Sequence, residues 1–219
     1  MGALDEVYRR RFPEISHRQK DRIWPEIAHY LQRWVDPAAP VLDVACDTGY
    51  FIRNITARER WAVDVRDVRA ELPTDITFVQ ASGLDLDACL AAGTFGTIFM
   101  SNYLEHLRGP DAVIEQLAVA RRLLRPGGRV IVLQPNVRLV GGSYWDFIDH
   151  RVALTERSLA EAGSLAGLRT VELITRFLPY STKSRLPSHP LLVRAYLRVP
   201  MFWRLIGQQT LYVAEAAAR

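Results

Sequence analysis

Five short runs rich in β-branched residues recur along the chain, at residues 40–44, 60–65, 76–80, 97–101 and 129–133. Between them lie stretches of helical character: 50–56, a short one at 68–72, 85–92, and an amphipathic one at 112–124. Pro126-Gly127-Gly128 follows the last of these, where glycine and proline stop a helix. This alternation leaves few folds open. Strands joined by helical crossovers pair in parallel, and a parallel sheet hides both faces under helices. Residues 4–35 also read as helical, with Pro13 and Pro25 breaking or starting turns, and 155–166 as a further helix. Residues 169–177 and 210–215 supply two more strands. The expectation is an α/β fold, a doubly wound, seven-stranded, mostly parallel sheet. A helical insertion, 178–209, rich in proline, arginine and large apolar residues, precedes its last strand.

The chain has 219 residues, enough for one domain with a sizeable core. A net charge of +4 permits acidic substrates or an anionic surface without demanding either. Its basic residues are scattered and no nucleic-acid recognition module is visible, so no nucleic-acid partner is expected. The two cysteines, Cys46 and Cys89, show neither metal spacing nor a disulfide framework. Free thiols suit a reducing compartment. With no apolar signal-like stretch at the start and no apolar run of about 18 residues, a cytoplasmic location is expected.

The first strand runs into a turn, VLDVACDTGYF at 41–51. In an open parallel sheet, ligands bind beyond the carboxyl ends of the strands. A dinucleotide site wants G-x-G-x-x-G, so that a diphosphate meets bare backbone and a helix start. Aligned on Ala45, this chain offers Ala45, Asp47 and Tyr50, which loses all three glycines and aims a carboxylate at the diphosphate. NAD is therefore disfavoured. S-adenosylmethionine (SAM) makes a different demand, because its sulfonium and ammonium are cations. Asp43 sits where it can reach the ammonium, or else it caps the following helix. Asp64 ends the next strand about 20 residues on, where an acid can accept both ribose hydroxyls; the alternative is a strand-end surface acid. Cys46 reads as a small packed residue lining the turn rather than as a nucleophile.

Taken in order, VLDVACDTG, AVDVRD, FVQASGLDL, IFMSNYLEHL and RLLRPGGRVIV resemble the class I SAM-dependent methyltransferases over roughly residues 40–135. The tail, YWDFIDHRVALTERSL and RFLPYSTKSRLP, resembles a narrower bacterial group acting in glycan, glycolipid and natural-product sugar pathways. The resemblance implies a Rossmann-like methyltransferase fold with an antiparallel last strand. It also implies SAM as cofactor and S-adenosyl-L-homocysteine as product. A helical cap (1–36), a SAM-binding core (37–135) and an acceptor-side half (136–219) would make up one domain. Cofactor contacts would come from Asp43, Ala45, Cys46, Asp47, Gly49, Asp64 and Val65, then from Ser82, Gly83 and Leu84 at the adenine, and from Ser101, Asn102 and Tyr103 beside the methyl group. Ala45 and Asp47 depart from the family's glycines. Asp47 either repels the cofactor's carboxylate or contacts its ammonium. Ser82 stands where the family often carries an aspartate.

Methyl transfer from an activated sulfonium asks mainly for positioning and exclusion of water. An oxygen nucleophile also needs its proton removed. His106, in Ser101–Leu107 after the fourth strand, is one candidate base, or else a structurally bonded histidine. Glu105 either orients His106 or Arg108, or is an acid at a helix start. His150 is a second candidate, facing Asp146 if 144–151 is helical. Tyr144 and Trp145 offer faces for a sugar ring, or else pack the loop. Asn136, Arg138 and Asp149 are candidate acceptor contacts. A metal site from Asp146, Asp149 and His150 lacks a recognised spacing, and no metal is expected. Residues 190–206, apolar with Arg194, Arg198 and Arg204 interleaved, read as a helix packed on the core or at a homodimer seam, as a lid, or as a peripheral contact with an anionic membrane. The expected activity is methyl transfer to a small-molecule or glycan-type acceptor, at a sugar hydroxyl before a nitrogen. The alternative is a silent binding or scaffold domain.

Overall fold

A computed structural model describes residues 14–180 and 189–216, with side chains from residue 18 onward. The basic cluster at 8–12, together with Lys183 and Arg185, lies outside the described residues. The elements are α1 (Glu14–Leu31), β1 (Val41–Val44), β2 (Arg60–Asp64), β3 (Ile76–Gln80), β4 (Phe95–Ser101), α2 (Pro110–Leu123), β5 (Leu124–Pro135), α3 (Val137–Val140), α4 (Glu156–Leu165), β6 (Leu168–Ile174), α5 (Pro190–Arg198), α6 (Pro200–Ile206) and β7 (Gln209–Ala216). The seven strands form one sheet in the order β3-β2-β1-β4-β5-β7-β6. β1 to β5 run parallel, while β7 lies antiparallel between β5 and β6. The strand order reverses between β1 and β4, and the crevice at that reversal is where an open α/β sheet binds ligands.

Side chains on β5 alternate between two apolar layers. Val130 and Val132 join Leu117 and Leu123 of α2, Leu159 of α4 and Tyr212 of β7. Ile131 and Leu133 join Leu31 of α1, Phe51, Phe99, Val213 and Trp203 of α6 on the other face. Both faces are thus covered, as a parallel sheet requires.

The crossovers depart from expectation. The segments expected as helices after β1, β2 and β3 contain only 3-10 turns, at Ile52–Asn54, Arg69–Glu71 and Gly83–Ala88. In the first of these Tyr50, Phe51, Ile52 and Ile55 are all buried. Four buried apolar side chains within six residues, two of them β-branched isoleucines, gain more from filling the gap than from a single helical face. Phe51 stacks on Phe99 at 3.8 Å between centroids. Pro25 lies inside α1 rather than ending it. Ile27, Ala28 and Leu31, all buried, hold that helix to the sheet past the missing N–H. β5 begins at Leu124, before Pro126-Gly127-Gly128, because Leu124 already pairs with Phe95. A Cβ on Gly128 would stand 2.9 Å from the carbonyl oxygens of Phe95 and Arg125, so only glycine fits that approach. Among the described residues no helix is long and apolar enough to cross a membrane.

Candidate active site

The turn after β1 carries three residues in the left-handed region: Ala45 (φ 57°), Asp47 (φ 51°) and Gly49 (φ 77°). Glycine adopts this conformation freely, aspartate tolerates it, and alanine is strained there. The backbone thus keeps a glycine-type path although two of its three positions carry side chains. The left-handed backbone at Gly49 favours glycine, and a Cβ there would also push Leu72 Cδ2, 2.5 Å away, aside. The turn is pinned by the Gly49 amide donating to the Cys46 carbonyl (2.8 Å) and the Cys46 amide donating to the Val63 carbonyl (2.9 Å). Cys46 is buried, and burial with Asp43, Asp64 and Asp47 nearby pushes its thiol far up, so it stays protonated. Asp43, 3 % exposed, ends up beneath the turn. Burial raises its carboxyl well above the usual range; a hydrogen bond from the Ile52 backbone opposes this, and Asp64 and Asp47 add to it.

Asp64, buried at the end of β2, is held from two sides. The Asp47 amide donates to its Oδ2 (3.1 Å), and Arg66 donates from its backbone amide (2.9 Å), Nε (3.1 Å) and Nη2 (3.2 Å). The same Nη2 donates to Asp47 Oδ1 at 3.1 Å, and Lys20 Nζ stands 3.8 Å from Asp47 Oδ2. Asp47 therefore does not present a bare carboxylate to the crevice. Sequence reading overlooked Arg66 and Lys20. Arg66 was visible two residues after the acid in AVDVRD; Lys20 reaches the turn only through packing of α1.

At the next strand ends, Ser82 Oγ accepts the Leu84 amide (3.3 Å) and starts a 3-10 turn. Gly83 leaves room for the Tyr103 hydroxyl, which donates to Gln116 Oε1 (2.8 Å). Val65 is exposed beside Asp64. Asn102 (φ 48°) donates from Nδ2 to Ser101 Oγ (2.9 Å) and accepts from Gln209 Nε2 (3.2 Å), which ties β4 to β7.

Beyond β4 the chain brings His106 and His150 together, their ring centroids 5.0 Å apart. His106 Nδ1 lies 3.1 Å from the Asp149 carbonyl and 3.3 Å from Asp149 Oδ2. Glu105, 1 % exposed, accepts from Gln134 Nε2 (3.0 Å) on Oε2, while its Oε1 faces His106 Nε2 at 3.9 Å. Burial pushes the Glu105 carboxyl up. His150 is buried among Tyr144 and Phe147 at 4.8 and 5.0 Å between centroids. Residues Gly141–Asp146 form a 3-10 turn and the chain then extends at Phe147, so the helix expected over 144–151 does not form. Asp149 turns to His106.

Two expected acceptor contacts are turned inward. Asn136, 1 % exposed, donates to Glu156 Oε2 (2.7 Å) and Thr210 Oγ1 (3.1 Å) while its Oδ1 accepts the Arg138 amide (3.1 Å). Tyr144 is fully buried with its hydroxyl on the Val152 carbonyl, so its ring has no free face for a sugar. Arg138 pairs with Glu156 at 2.7 Å. Trp145 keeps half its surface open. A cavity lined by Arg69, Leu72, Pro73, Thr74, Ile76 and Phe78 opens near the start of β3, at the opposite edge of the sheet from these groups.

A family model described as a methyltransferase domain matches residues 10–173, and the chain belongs to that family. Comparison with curated proteins returns no match. Among solved structures, one similar chain comes from the complex of the Haloferax volcanii Trm112 methyltransferase activator with a protein named as a methyltransferase. It is 20% identical over 93% of this chain and 96% of that one, with a TM-score of 0.67. A SAM-dependent methyltransferase from Archaeoglobus fulgidus is 15% identical over 86% of this chain and 92% of its own, at a TM-score of 0.61. A geranyl diphosphate methyltransferase in complex with SAM is 16% identical over 88% and 85%, also at 0.61. At these identities the likeness is one of fold, the Rossmann-like methyltransferase sheet. The family match, with SAM-dependent methyltransferases among the neighbours, supports SAM as the cofactor.

Proposed function

We propose that this chain transfers the methyl group of SAM to a hydroxyl of a small-molecule or glycan-type acceptor. One observation carries the acceptor half of the reading: an imidazole, His106, stands at the carboxyl edge of the sheet with its Nδ1 against Asp149, which leaves Nε2 to take a proton. In the reaction the acceptor oxygen bonds to the methyl carbon as the carbon–sulfur bond breaks. The electron pair stays on sulfur, giving S-adenosyl-L-homocysteine, and the hydroxyl proton passes to His106. Asp64 would accept the ribose hydroxyls and Asp43 the ammonium. The backbone of Ala45–Gly49 would border the methionine part, Val65 and Ser82–Leu84 the adenine, and Ser101–Tyr103 the methyl group. Trp145, with half its surface open, is the remaining flat face for a sugar ring. His150 supports His106 by ring contact. All of this falls within a single cytoplasmic domain.

A second reading is favoured by one feature. Arg66 occupies both oxygens of Asp64, the group that ribose needs. If that clamp never opens, the domain is a scaffold. Calorimetric titration with SAM, S-adenosyl-L-homocysteine and NAD separates the two. Binding of the first two without NAD is expected, followed by turnover on a panel of sugar and small-molecule hydroxyls that falls at least tenfold in His106→Ala. Absence of SAM binding overturns the enzyme reading. Unchanged turnover in His106→Ala overturns the base.

A further inference from the structure

Glu105, His106 and His150 place a carboxylate oxygen and two ring nitrogens within 4.8 Å of one another. We infer that this cluster is a binding site for a divalent first-row transition ion such as Mn2+, Fe2+, Co2+ or Zn2+. The inference rests on the methyltransferase reading above and gives its acceptor side a further component.

The argument starts from tautomers. Asp149 offers His106 Nδ1 two acceptors, its carbonyl at 3.1 Å and its carboxylate at 3.3 Å. Two acceptors on one nitrogen fix the proton there, and the lone pair is then on Nε2. That lone pair faces Glu105 Oε1 at 3.9 Å. Gln134 already occupies the other carboxylate oxygen. Two electron-rich atoms thus confront each other at a separation too long for a hydrogen bond. A cation with bonds of about 2.1 Å spans donors up to roughly 4.2 Å apart, which covers this pair. The limit of 4.8 Å closes to the roughly 3.4 Å between donors of a tetrahedral ion with side-chain shifts of about 0.7 Å at each donor.

The surroundings are those of a built site. Asp149 behind His106 is the carboxylate–histidine–metal arrangement that orients a ligand ring, and Gln134 plays the equivalent part for Glu105. His150 is fixed between Tyr144 and Phe147. The backbone carbonyl of Glu105 accepts from the amides of Arg151 and Val152, at 2.8 and 3.1 Å, so the two ligand-bearing segments are tied together. Imidazole with carboxylate suits the later first-row ions better than Mg2+. Three protein donors leave a position open, as catalytic sites do. An acceptor hydroxyl bound there would lose its proton to solvent more readily, and the ion would assume the task that His106 performs without it.

The test uses the whole chain, stripped with chelator and dialysed, then titrated with Co2+ and Mn2+ and, in the same preparations, with SAM. One ion per chain is expected, with visible d–d bands for Co2+ and a raised Tm. His150→Ala and Glu105→Gln should each lose at least a hundredfold in ion affinity, and Asp149→Asn about tenfold, with SAM affinity unchanged within threefold. Circular dichroism and SAM binding report whether each variant folds; if Glu105→Gln does not, His106→Gln replaces it. No stoichiometric uptake by the native chain, or uptake indifferent to these changes, overturns the site while SAM binding stands. Ion uptake with no SAM binding overturns the methyltransferase reading and leaves the site.

Discussion

Arg66 grips Asp64 and Asp47 with one guanidinium, donating to Asp64 at 3.1 and 3.2 Å and to Asp47 at 3.1 Å. Two carboxylates at the cofactor turn are thereby bridged by a shared cation that offsets their repulsion. Arg66→Ala should weaken SAM binding about tenfold, since hydrogen bonds to charged groups are worth about 1.5–3 kcal/mol and part of that returns through freed ribose acceptors. Asp47→Gly alone should change affinity by no more than about threefold, because Asp47 is already neutralised. In Arg66→Ala, Asp47→Gly should restore most of the loss, a coupling read by calorimetry as a double-mutant cycle. A large gain from Asp47→Gly alone would mean that Asp47 repels the cofactor after all.

Asp43 sets a proton linkage. Burial raises its carboxyl, the Ile52 amide lowers it, and Asp64 and Asp47 raise it further. A carboxyl raised on folding adds stability below its unfolded value, near 3.9, and that contribution is lost as pH rises through the folded value. An arriving ammonium favours the anion, so SAM binding should release protons. Its calorimetric enthalpy should depend on the buffer's ionisation enthalpy below the raised folded value and lose that dependence as pH rises through it. Asp43→Asn should abolish the dependence and weaken binding. Proton uptake, or no buffer effect, would sink this role for Asp43.

Gly163 in α4 is a packing test. A Cβ there would lie 2.0 Å from the hydroxyl of Tyr212, which is fully buried in β7. Replacing a helix glycine with alanine gains up to about 1 kcal/mol in propensity, but overpacking a core costs about 1–3 kcal/mol. Gly163→Ala should therefore lower stability in urea unfolding, and adding Tyr212→Phe should recover part of the loss. A more stable single variant would show that the contact yields freely.

The α5–α6 pair has two faces. Leu197 and Trp203 are buried in the core, and Arg194 holds Glu26 of α1 at 2.7 and 2.8 Å. Leu191, Leu192, Met201, Phe202 and Leu205 point outward, and residues 189–206 contain no acidic side chain. We expect the chain to sediment with vesicles containing anionic lipid and not with neutral ones, and Phe202→Glu with Leu205→Glu to abolish this. Binding insensitive to those changes would remove the membrane role.

Much of the sheet was legible because strand periodicity is local. β3 runs from Ile76 to Gln80, as the sequence reading has it, and Asp64 ends β2 while Asp43 stands one residue before the end of the neighbouring β1. The crossovers were not, because Tyr50, Phe51 and Ile52 look like the start of a helix until Phe99 is seen beneath them. The imidazole pair depends on contacts between segments far apart in sequence, such as His106 with Asp149, which no period encodes. Tyr144 looked like an open stacking face, and only the fold reveals that its hydroxyl is committed to the Val152 carbonyl.

The antiparallel placement of β7 has a consequence for how the molecule is assembled. Among the described residues β6 pairs only with β7, which joins it to β5. A ribosome delivers β5 and β6 well before β7, so two strand edges wait unpaired, and exposed edges invite pairing with other chains. Chaperone demand and losses to aggregation during synthesis should therefore concentrate in the interval before Gln209–Ala216 emerges, and slowing translation there should lower the soluble yield.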